Sequence, residues 1–440
     1  MVSDPARVRR VGSALLVALT LWLGAVLAGD GVGTDRLGLE PLFEGVVALV
    51  REAYWDPEHV DWDAWAEGFR DEALASPDRV RFDAVMGRML RALGDGHSRW
   101  LGLAEVAPEA APDAPVDAPL RLGCACVFVA GRGLLVERVF AATPAAAAGL
   151  MRGDVVVAVD GEALAPRGSL VAAMTVVREA LERGAATLLV ERRRRSLELV
   201  LEGAPMVFAE AAARPYGLML DAFTGYLQVP TFQRQGVAAE AHAALDALQR
   251  AGAVGLVLDL RANQGGRLLE AGALLAAFGD GVWAEGFARG AVAWRADAVR
   301  GGAAVASRLV ASDGAPLATL EVEPSVRWGG TVVVVVDRAT TSVAEVVAAA
   351  LQRSARAWVV GEGTGGNVEA VQGFTLVDGS RLLLAIADLR GADGAPYAVG
   401  VVPDVVSRSE RGALALGRDL PVLEARRLLG GLPFVPDARF

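Results

Sequence analysis

The chain has 440 residues, of which 53% are apolar and 22% charged, and its net charge is −10. A prior of about 150 residues per domain predicts about three modules. The composition excludes a disordered chain, and 51 glycines without a triplet period exclude collagen. The acidic balance argues against a broad nucleic-acid-binding face.

The chain contains no lysine, because all 43 residues in the lysine and arginine count are arginine. This excludes a Schiff base, a P-loop lysine and a Ser–Lys dyad. A general base near neutral pH must therefore be His59, His97, His242 or a carboxylate with a shifted pKa. We expect Cys124 and Cys126 to point to opposite faces of a strand, so we predict neither a disulfide nor a cysteine-based zinc site.

The first 30 residues are predicted to be an export signal or a membrane anchor. Three arginines between positions 7 and 10 precede the uncharged run 11–28, which ends in small residues. Eighteen residues are the lower limit of a membrane span, and the small residues suit cleavage by a signal peptidase. Both alternatives place the remaining chain outside the cytoplasm, while a buried core helix is the structural alternative.

The pattern of apolar residues predicts an α/β multidomain protein. Helical spacing predicts an N-terminal helical region over 36–103, and the Pro/Ala/Asp-rich residues 104–118 read as a linker. Residues 119–203 predict short strands with one helix, and residues 204–408 alternate strand and helix. We predict helix at most for the tail, 409–440, and assign it no role.

The middle module resembles a PDZ domain. Leu122-Gly123-Cys124-Ala125 precedes an apolar strand, a Gly-Asp turn follows at Gly153-Asp154, and a helix is expected over 169–183. The resemblance implies that the protein binds a C-terminal peptide by strand addition, with the peptide carboxylate at the loop amides of Leu122, Gly123, Cys124 and Ala125. A small β-domain that serves only as a spacer is the alternative.

Three segments of the last module occur in a characteristic order. They are the residues 258–266 (LDLRANQGG), the residues 340–345 (TTSVAE) and the residues 360–369 (VGEGTGGNVE). Together with the preceding PDZ-like module, they resemble the C-terminal processing peptidases, the tail-specific serine proteases of family S41. The resemblance implies a crotonase-like α/β peptidase core over 204–408.

The resemblance places Ser342 on the nucleophile of that family. A serine at a strand-to-helix turn lies at the positive end of the helix, where developing negative charge is favoured. The amide of Val343 and the turn Gly265-Gly266 would then supply the oxyanion hole. The structural alternatives are a capping box formed by Ser342 and Glu345, and an ordinary turn at the two glycines.

The sequence departs from the family at the lysine that many members use as the base, because Asn367 occupies that position. We predict His97 as the base, by resemblance to the tricorn-like branch, and Glu369 as the acid that orients it. Gln372 is a neutral alternative to Glu369, and a cross-strand surface role is the structural alternative for Glu369. We expect His59 and His242 to be exposed.

The predicted function is that of an exported serine endopeptidase that acts on proteins with exposed C-terminal tails, without metal or organic cofactor and without nucleic acid. Asp259 and Arg261 are expected to form a buried structural pair. Membrane contact is expected through residues 11–28 if the leader is uncleaved, with a periplasmic or other extracytoplasmic location. A catalytically inactive protein of the same fold that binds peptides or other ligands is the alternative.

Overall fold

A computed structural model describes residues 8–9, 38–105, 122–203, 211–302, 304–366, 368–397, 400–430 and 438–439. The apolar run 11–28, most of the predicted linker and Asn367 lie outside the described residues. Within the described part of the chain, no helix has the length and apolar character needed to cross a membrane.

Three helices and one 3-10 turn build the N-terminal region. Their bounds are Leu39–Ala53, Trp62–Leu74 and Arg79–Arg91, with the turn at Pro57–His59. Asp61 and Asp78 cap the second and third helices, since each side chain accepts a backbone N–H three residues later. The strand Arg99–Leu101 pairs with residues 381–383, so this region is fixed to a sheet of the last module.

The middle module consists of one sheet and two helices. The strands are Cys124–Val129, Gly133–Val139, Val155–Val159, Glu162–Ala163, Ala185–Arg192 and Arg195–Glu202, and the helices are Pro144–Ala147 and Leu170–Glu182. Among the described strands, Cys124–Val129 pairs only with Gly133–Val139 and is therefore an edge strand. The helix Leu170–Glu182 contacts this strand.

A mainly parallel sheet of six strands forms the centre of the last module. Its order is Val405–Val406, Ala357–Gly361, Thr331–Val336, Gly255–Asp259, Thr224–Gln228 and Tyr216–Met219, the last of these antiparallel to its neighbour. Successive valines of the central strand, such as Val332 and Val333, contribute to cores on opposite faces of the sheet. Burial on both faces explains why this strand is apolar throughout. The covering helices are Val237–Arg250, Leu268–Leu275 and Val343–Arg353.

A second, largely antiparallel sheet packs beside the first. Its strands are Gly279–Ala288, Ala291–Gly301, Ala304–Ala311, Pro316–Val322, Glu369–Thr375 and Arg381–Arg390, with Arg99–Leu101 and the two-residue strands Val8–Arg9 and Ala438–Arg439 at its margins. The sequence pattern predicts the parallel sheet but not the long meander over 279–322. This sheet carries Glu369 at the start of one strand.

The C-terminal tail contains helices, within the expectation of helix at most, but it has a structural role that the sequence pattern does not reveal. Its helices are Arg411–Leu414 and Leu420–Leu429, and the second packs on the parallel sheet. Asp419 accepts hydrogen bonds from Arg261 and Arg152. Burial alone would raise the pKa of Asp419, but these two guanidinium groups hold it well below its usual range. Arg261 also pairs with buried Asp259, which agrees with the predicted structural pair.

His242 is completely buried, and the prediction that it is exposed is wrong. Its Nε2 lies 2.9 Å from the carbonyl oxygen of Ala273, and its Nδ1 accepts the N–H of Val326 at 3.1 Å. A neutral imidazole with the proton on Nε2 satisfies both contacts. Burial lowers the pKa of His242, which favours this neutral form. The small alanines of its helix allow the close packing that removes the ring from solvent.

We predict that His242→Leu destabilises the protein, because the Ala273 carbonyl and the Val326 N–H would remain buried without partners. Each unsatisfied group costs about 1–3 kcal/mol. The loss should be largest at neutral pH and shrink as the pH falls below 6.5, because the unfolded wild-type histidine then binds a proton that the folded one resists. Urea unfolding at several pH values measures this difference.

The matched control is His59→Leu, because the side chain of His59 is 81% exposed and its removal should change the free energy of unfolding little. Equal stability of the two variants would contradict the structural role assigned to His242.

Candidate active site

Ser342 lies at a sharp turn between the strand Thr331–Val336 and the helix Val343–Arg353. Its backbone has φ 58° and ψ −134°, a left-handed conformation that is uncommon for a residue with a side chain. A serine on such a strand-to-helix turn presents its hydroxyl at the edge of the sheet. The residue is half-buried, so its side chain remains accessible.

Glu345 fixes the backbone of this turn. Its Oε2 accepts the N–H of Ser342 at 2.8 Å, which is the carboxylate half of a capping box. Its Oε1 accepts the N–H of Gly366 at 2.7 Å and the hydroxyl of Thr364. Because Glu345 is buried and binds both segments, it holds residues 364–366 against the start of the helix.

The turn after the neighbouring strand Gly255–Asp259 lies directly against Ser342. A Cβ at Gly265 would be 2.7 Å from the Cβ of Ser342 and 2.8 Å from the nitrogen of Val343. Gly265 also has φ +80°, so both space and backbone conformation favour glycine there. The contact exists because the two strands are parallel neighbours whose carboxyl ends meet at one edge.

Asn263 organises the same turn and determines which amides are available. The side-chain oxygen of Asn263 is buried and accepts the N–H of Gly265 at 2.8 Å. The backbone carbonyl of Asn263 accepts the N–H of Thr341 at 3.0 Å. The N–H groups of Gly266 and Val343 have no acceptor among the described residues. Of the predicted oxyanion donors, Gly265 is therefore already engaged, whereas Gly266 and Val343 remain available.

The structure brings His97 and Glu369 together although 272 residues separate them. The Nδ1 of His97 lies 2.7 Å from the Oε2 of Glu369, and the two side chains are 21% and 18% exposed. A histidine whose Nδ1–H is donated to a carboxylate carries its proton-accepting lone pair on Nε2. An acid that orients a histidine in this way fixes its tautomer and assists general-base catalysis.

The segment around His97 is held at several points. The Oδ1 of Asp95 accepts the N–H groups of His97 and Ser98 at 2.7 and 2.6 Å. The Oγ of Ser98 accepts the N–H of Ala385 at 3.0 Å, on the strand that pairs with the strand of Glu369. The histidine is thus fixed relative to the sheet and not carried on a free loop.

Chain connectivity joins this pair to the serine turn. Gly366 is hydrogen-bonded to Glu345 beside Ser342, and Glu369 follows three residues later. Three extended residues span at most about 11 Å. The His97–Glu369 pair therefore lies in the same region as the turn of Ser342.

Tyr54 is a neighbour of this region that the sequence does not indicate. Burial and the adjacent carboxylate of Asp95 raise the pKa of Tyr54 well above its usual range, and Glu369 contributes in the same direction. The phenol therefore stays protonated and donates to the carbonyl of Leu93 at 3.4 Å. Tyr54 is far from Glu369 in the sequence, so helix periodicity identifies it only as a core residue and does not indicate that it lies near Glu369.

The predicted carboxylate loop begins the edge strand of the middle module. Gly123 has φ +81°, and a Cβ there would lie 2.4 Å from the Cβ of Thr143. The N–H groups of Leu122 and Gly123 have no acceptor within the described residues. Cys124 is buried and Ala125 half-buried. The described residues contain no cluster of three or more His, Cys, Asp or Glu side chains suited to hold a metal ion.

Gln372 and Glu369 lie on the same strand, but the contact with His97 is made by Glu369. His59 is exposed and pairs with Asp56, as expected for a loop residue. Asn263 and Asp419 are the residues that sequence reasoning missed. The position of Asn263, between a buried strand and two glycines, could have indicated that it organises the turn. No sequence pattern points to the role of Asp419.

Comparisons with known proteins find a match in the last module. Residues 223–407 match the model of peptidase family S41. These residues belong to the last module, so this part of the chain carries an S41 domain.

The chain is similar to a chloroplastic C-terminal processing peptidase from Tetradesmus obliquus. The two are 27% identical over 400 residues, which cover 87% of this chain and 79% of the relative.

Two solved structures share the fold. A Bacteroides fragilis protein assigned to the S41 proteases is 17% identical, with a TM-score of 0.53 and coverage of 92% of this chain and 100% of that one. A lipoprotein from Streptococcus agalactiae is 12% identical, with a TM-score of 0.51 and coverage of 91% and 99%.

We predict that Gly265→Ala prevents a fluorophosphonate probe from labelling Ser342, because the new Cβ would displace Ser342 or the amide of Val343. Gly290→Ala is the matched control, since Gly290 also has φ +80° but no atom within 4 Å of a Cβ. Both variants carry the same backbone strain, so equal labelling of the two would contradict the close contact at Ser342.

Proposed function

We propose that the protein is a serine endopeptidase in which Ser342 is the nucleophile, His97 the general base and Glu369 the group that orients His97. The contact of 2.7 Å between His97 and Glu369 carries this proposal. This contact matters because the chain has no lysine that could serve as the general base in place of His97. The S41 domain supports the serine-type reaction.

In the proposed reaction, the Oγ of Ser342 attacks the carbonyl carbon of the peptide bond while Nε2 of His97 takes its proton. The oxyanion that forms is stabilised by the N–H groups of Val343 and Gly266, which have no acceptor among the described residues. His97 then gives the proton to the leaving amine. Water, activated by the same imidazole, hydrolyses the acyl-enzyme and restores Ser342.

We propose further that the middle module is a PDZ domain that binds the C-terminal tail of a protein substrate. The open edge of Cys124–Val129 offers backbone groups for strand addition, and the adjacent helix Leu170–Glu182 would line the groove. The free amides of Leu122 and Gly123 are suited to a carboxylate. The spacer alternative would leave these amides without a function.

Export is also a proposal, which rests on the arginines and the apolar run 11–28. With a leader of this kind, catalysis would take place outside the cytoplasm, in the periplasm or its equivalent, and an uncleaved leader would anchor the protein in the membrane. The inactive alternative is not favoured, because the S41 domain and the oriented histidine both fit catalysis.

We predict that Ser342→Ala abolishes both fluorophosphonate labelling and cleavage of a peptide with an apolar C-terminal tail. His97→Ala and Glu369→Gln should lower the rates by about 10²–10⁴-fold, because the base is lost or misoriented. Labelling kinetics and peptide cleavage by the full chain measure these rates.

His59→Ala is the matched control and should retain the wild-type rates, because His59 lies on the surface. Wild-type labelling in His97→Ala would exclude His97 as the base while leaving Ser342 as the nucleophile. A wild-type protein that cleaves no peptide and leaves Ser342 unlabelled would exclude the peptidase itself.

We predict that the enzyme distinguishes a peptide with a free C-terminal carboxylate from the same peptide with a C-terminal amide. KM should be roughly tenfold or more lower for the carboxylate, which corresponds to one charge-assisted hydrogen bond, and kcat should change little. Steady-state kinetics on the paired peptides measure the preference.

Gly123→Ala should remove this preference, because its Cβ would collide with Thr143. Gly168→Ala is the control within the same module, with a positive φ but open space around its Cβ. Equal KM values for the two peptides in the wild-type protein would argue against carboxylate recognition.

A further inference from the structure

The two cysteines of the chain lie close together at the carboxylate loop. Both are free thiols, and the Sγ of Cys124 is 3.2 Å from the Sγ of Cys126. The prediction that they point to opposite faces is wrong, because residues two apart on a strand lie on the same face. Cys124 is buried and Cys126 is partly accessible.

The backbone around the pair is irregular. The pairing with the strand Gly133–Val139 shifts by one residue between Ala125 and Cys126, because that partner strand holds one extra residue, Glu137, at this point. Bulges bend a strand and re-aim its side chains. The pair therefore occupies the place where the loop becomes the edge strand, between the amides and the backbone that the substrate tail would contact.

The loop on the other side of the pair is anchored. The carbonyl of Gly123 accepts the N–H of Phe140 at 3.0 Å and the hydroxyl of Thr143 at 3.1 Å. The carbonyl of Leu122 accepts the N–H of Ala145 at 3.0 Å. A covalent bond between the sulfurs would have to be accommodated by the short segment 123–126, which carries the loop amides.

We propose that Cys124 and Cys126 form a dithiol–disulfide pair whose oxidation weakens binding of a substrate's C-terminal tail. The functional part rests on the proposed role of the middle module, whereas formation of the disulfide does not. The oxidant is a small-molecule disulfide such as oxidised glutathione, which supplies the two-electron acceptor.

The two cysteines have different roles in the oxidation. The hydrogen bond with Cys126, burial and the negative charge of Asp154 raise the pKa of Cys124, so this thiol stays protonated and is shielded from solvent. Cys126 is the more accessible sulfur and attacks first.

The reaction balances in two exchanges. The thiolate of Cys126 attacks one sulfur of glutathione disulfide, breaks its S–S bond and releases one glutathione thiolate. The Sγ of Cys124 then attacks the Sγ of Cys126 and gives up its proton to the departing sulfur, so the second glutathione leaves as a thiol. The two cysteines lose two electrons and two protons, and the oxidant becomes two molecules of glutathione.

The test treats the full chain with glutathione disulfide and measures its intact mass. The expected product has lost the mass of two hydrogen atoms, has no free thiol, runs as a monomer on a non-reducing gel and returns to the dithiol with dithiothreitol. A stable glutathione adduct, a disulfide-linked dimer or two unreacted thiols would overturn the proposal.

Cys124→Ser is the matched variant, since it keeps the attacking thiol but removes the resolving one. The reaction of Cys124→Ser should stop at the glutathione adduct on Cys126. Cys126→Ser should react with glutathione disulfide more slowly than the wild-type protein and than Cys124→Ser. An adduct that is equally persistent in the wild-type protein and in Cys124→Ser would show that Cys124 does not resolve it.

The functional readout compares KM and kcat of the reduced and oxidised wild-type protein. We expect KM for the carboxylate peptide to rise roughly tenfold on oxidation, while the fluorophosphonate labelling rate of Ser342 stays unchanged. An unchanged KM in a protein that has formed the disulfide would overturn the regulatory role. If the reduced protein shows no preference for the carboxylate peptide, the proposed function of the middle module is overturned. The mass measurement would still decide whether the disulfide forms.

Discussion

The arrangement of the site depends on how closely the turn at Gly265 approaches Ser342. The parallel pairing of Gly255–Asp259 with Thr331–Val336 brings two strand ends to one edge of the sheet. Only a residue without a side chain fits between them, because a Cβ on Gly265 would lie 2.7 Å from that of Ser342. Asn263 and Glu345 then fix the two turns through buried hydrogen bonds, which is how a site keeps its geometry before substrate binds.

The proposed base and the acid proposed to orient it come from parts of the fold outside the parallel sheet. His97 belongs to the helical region, and Glu369 begins a strand of the antiparallel sheet. The short strand Arg99–Leu101 joins these parts by pairing with the strand next to that of Glu369. The helical region therefore contributes a chemical group to the proposed mechanism, and its fixed attachment supplies the positional accuracy that proton transfer requires.

A largely buried ionic chain connects the middle module with the turn that follows the strand Gly255–Asp259. Arg152 of the module and Arg261 of the turn both bind Asp419 of the C-terminal tail. Arg261 in turn binds both carboxylate oxygens of Asp259, and Oδ2 of Asp259 also accepts the hydroxyl of Tyr226. Charges of this kind tolerate burial only when they are paired and hydrogen-bonded, so the tail completes a network that would otherwise contain unpaired charges.

The sequence by itself determined the order of modules, the strand-to-helix position of Ser342, the glycine turn and the absence of any lysine. These are local features, since apolar periodicity, glycine placement and residue counts are readable within short segments. The tertiary structure decided that His97 contacts Glu369, that the N–H of Gly265 donates a hydrogen bond to Asn263 and that His242 is buried. It also placed the sulfurs of Cys124 and Cys126 side by side. Long-range packing decides the His97–Glu369 contact and the burial of His242, because residues far apart in the chain become neighbours only when whole sheets and helices assemble. The contacts within 263–265 and 124–126 depend on the exact backbone geometry of a turn and of a strand, which residue types alone do not fix.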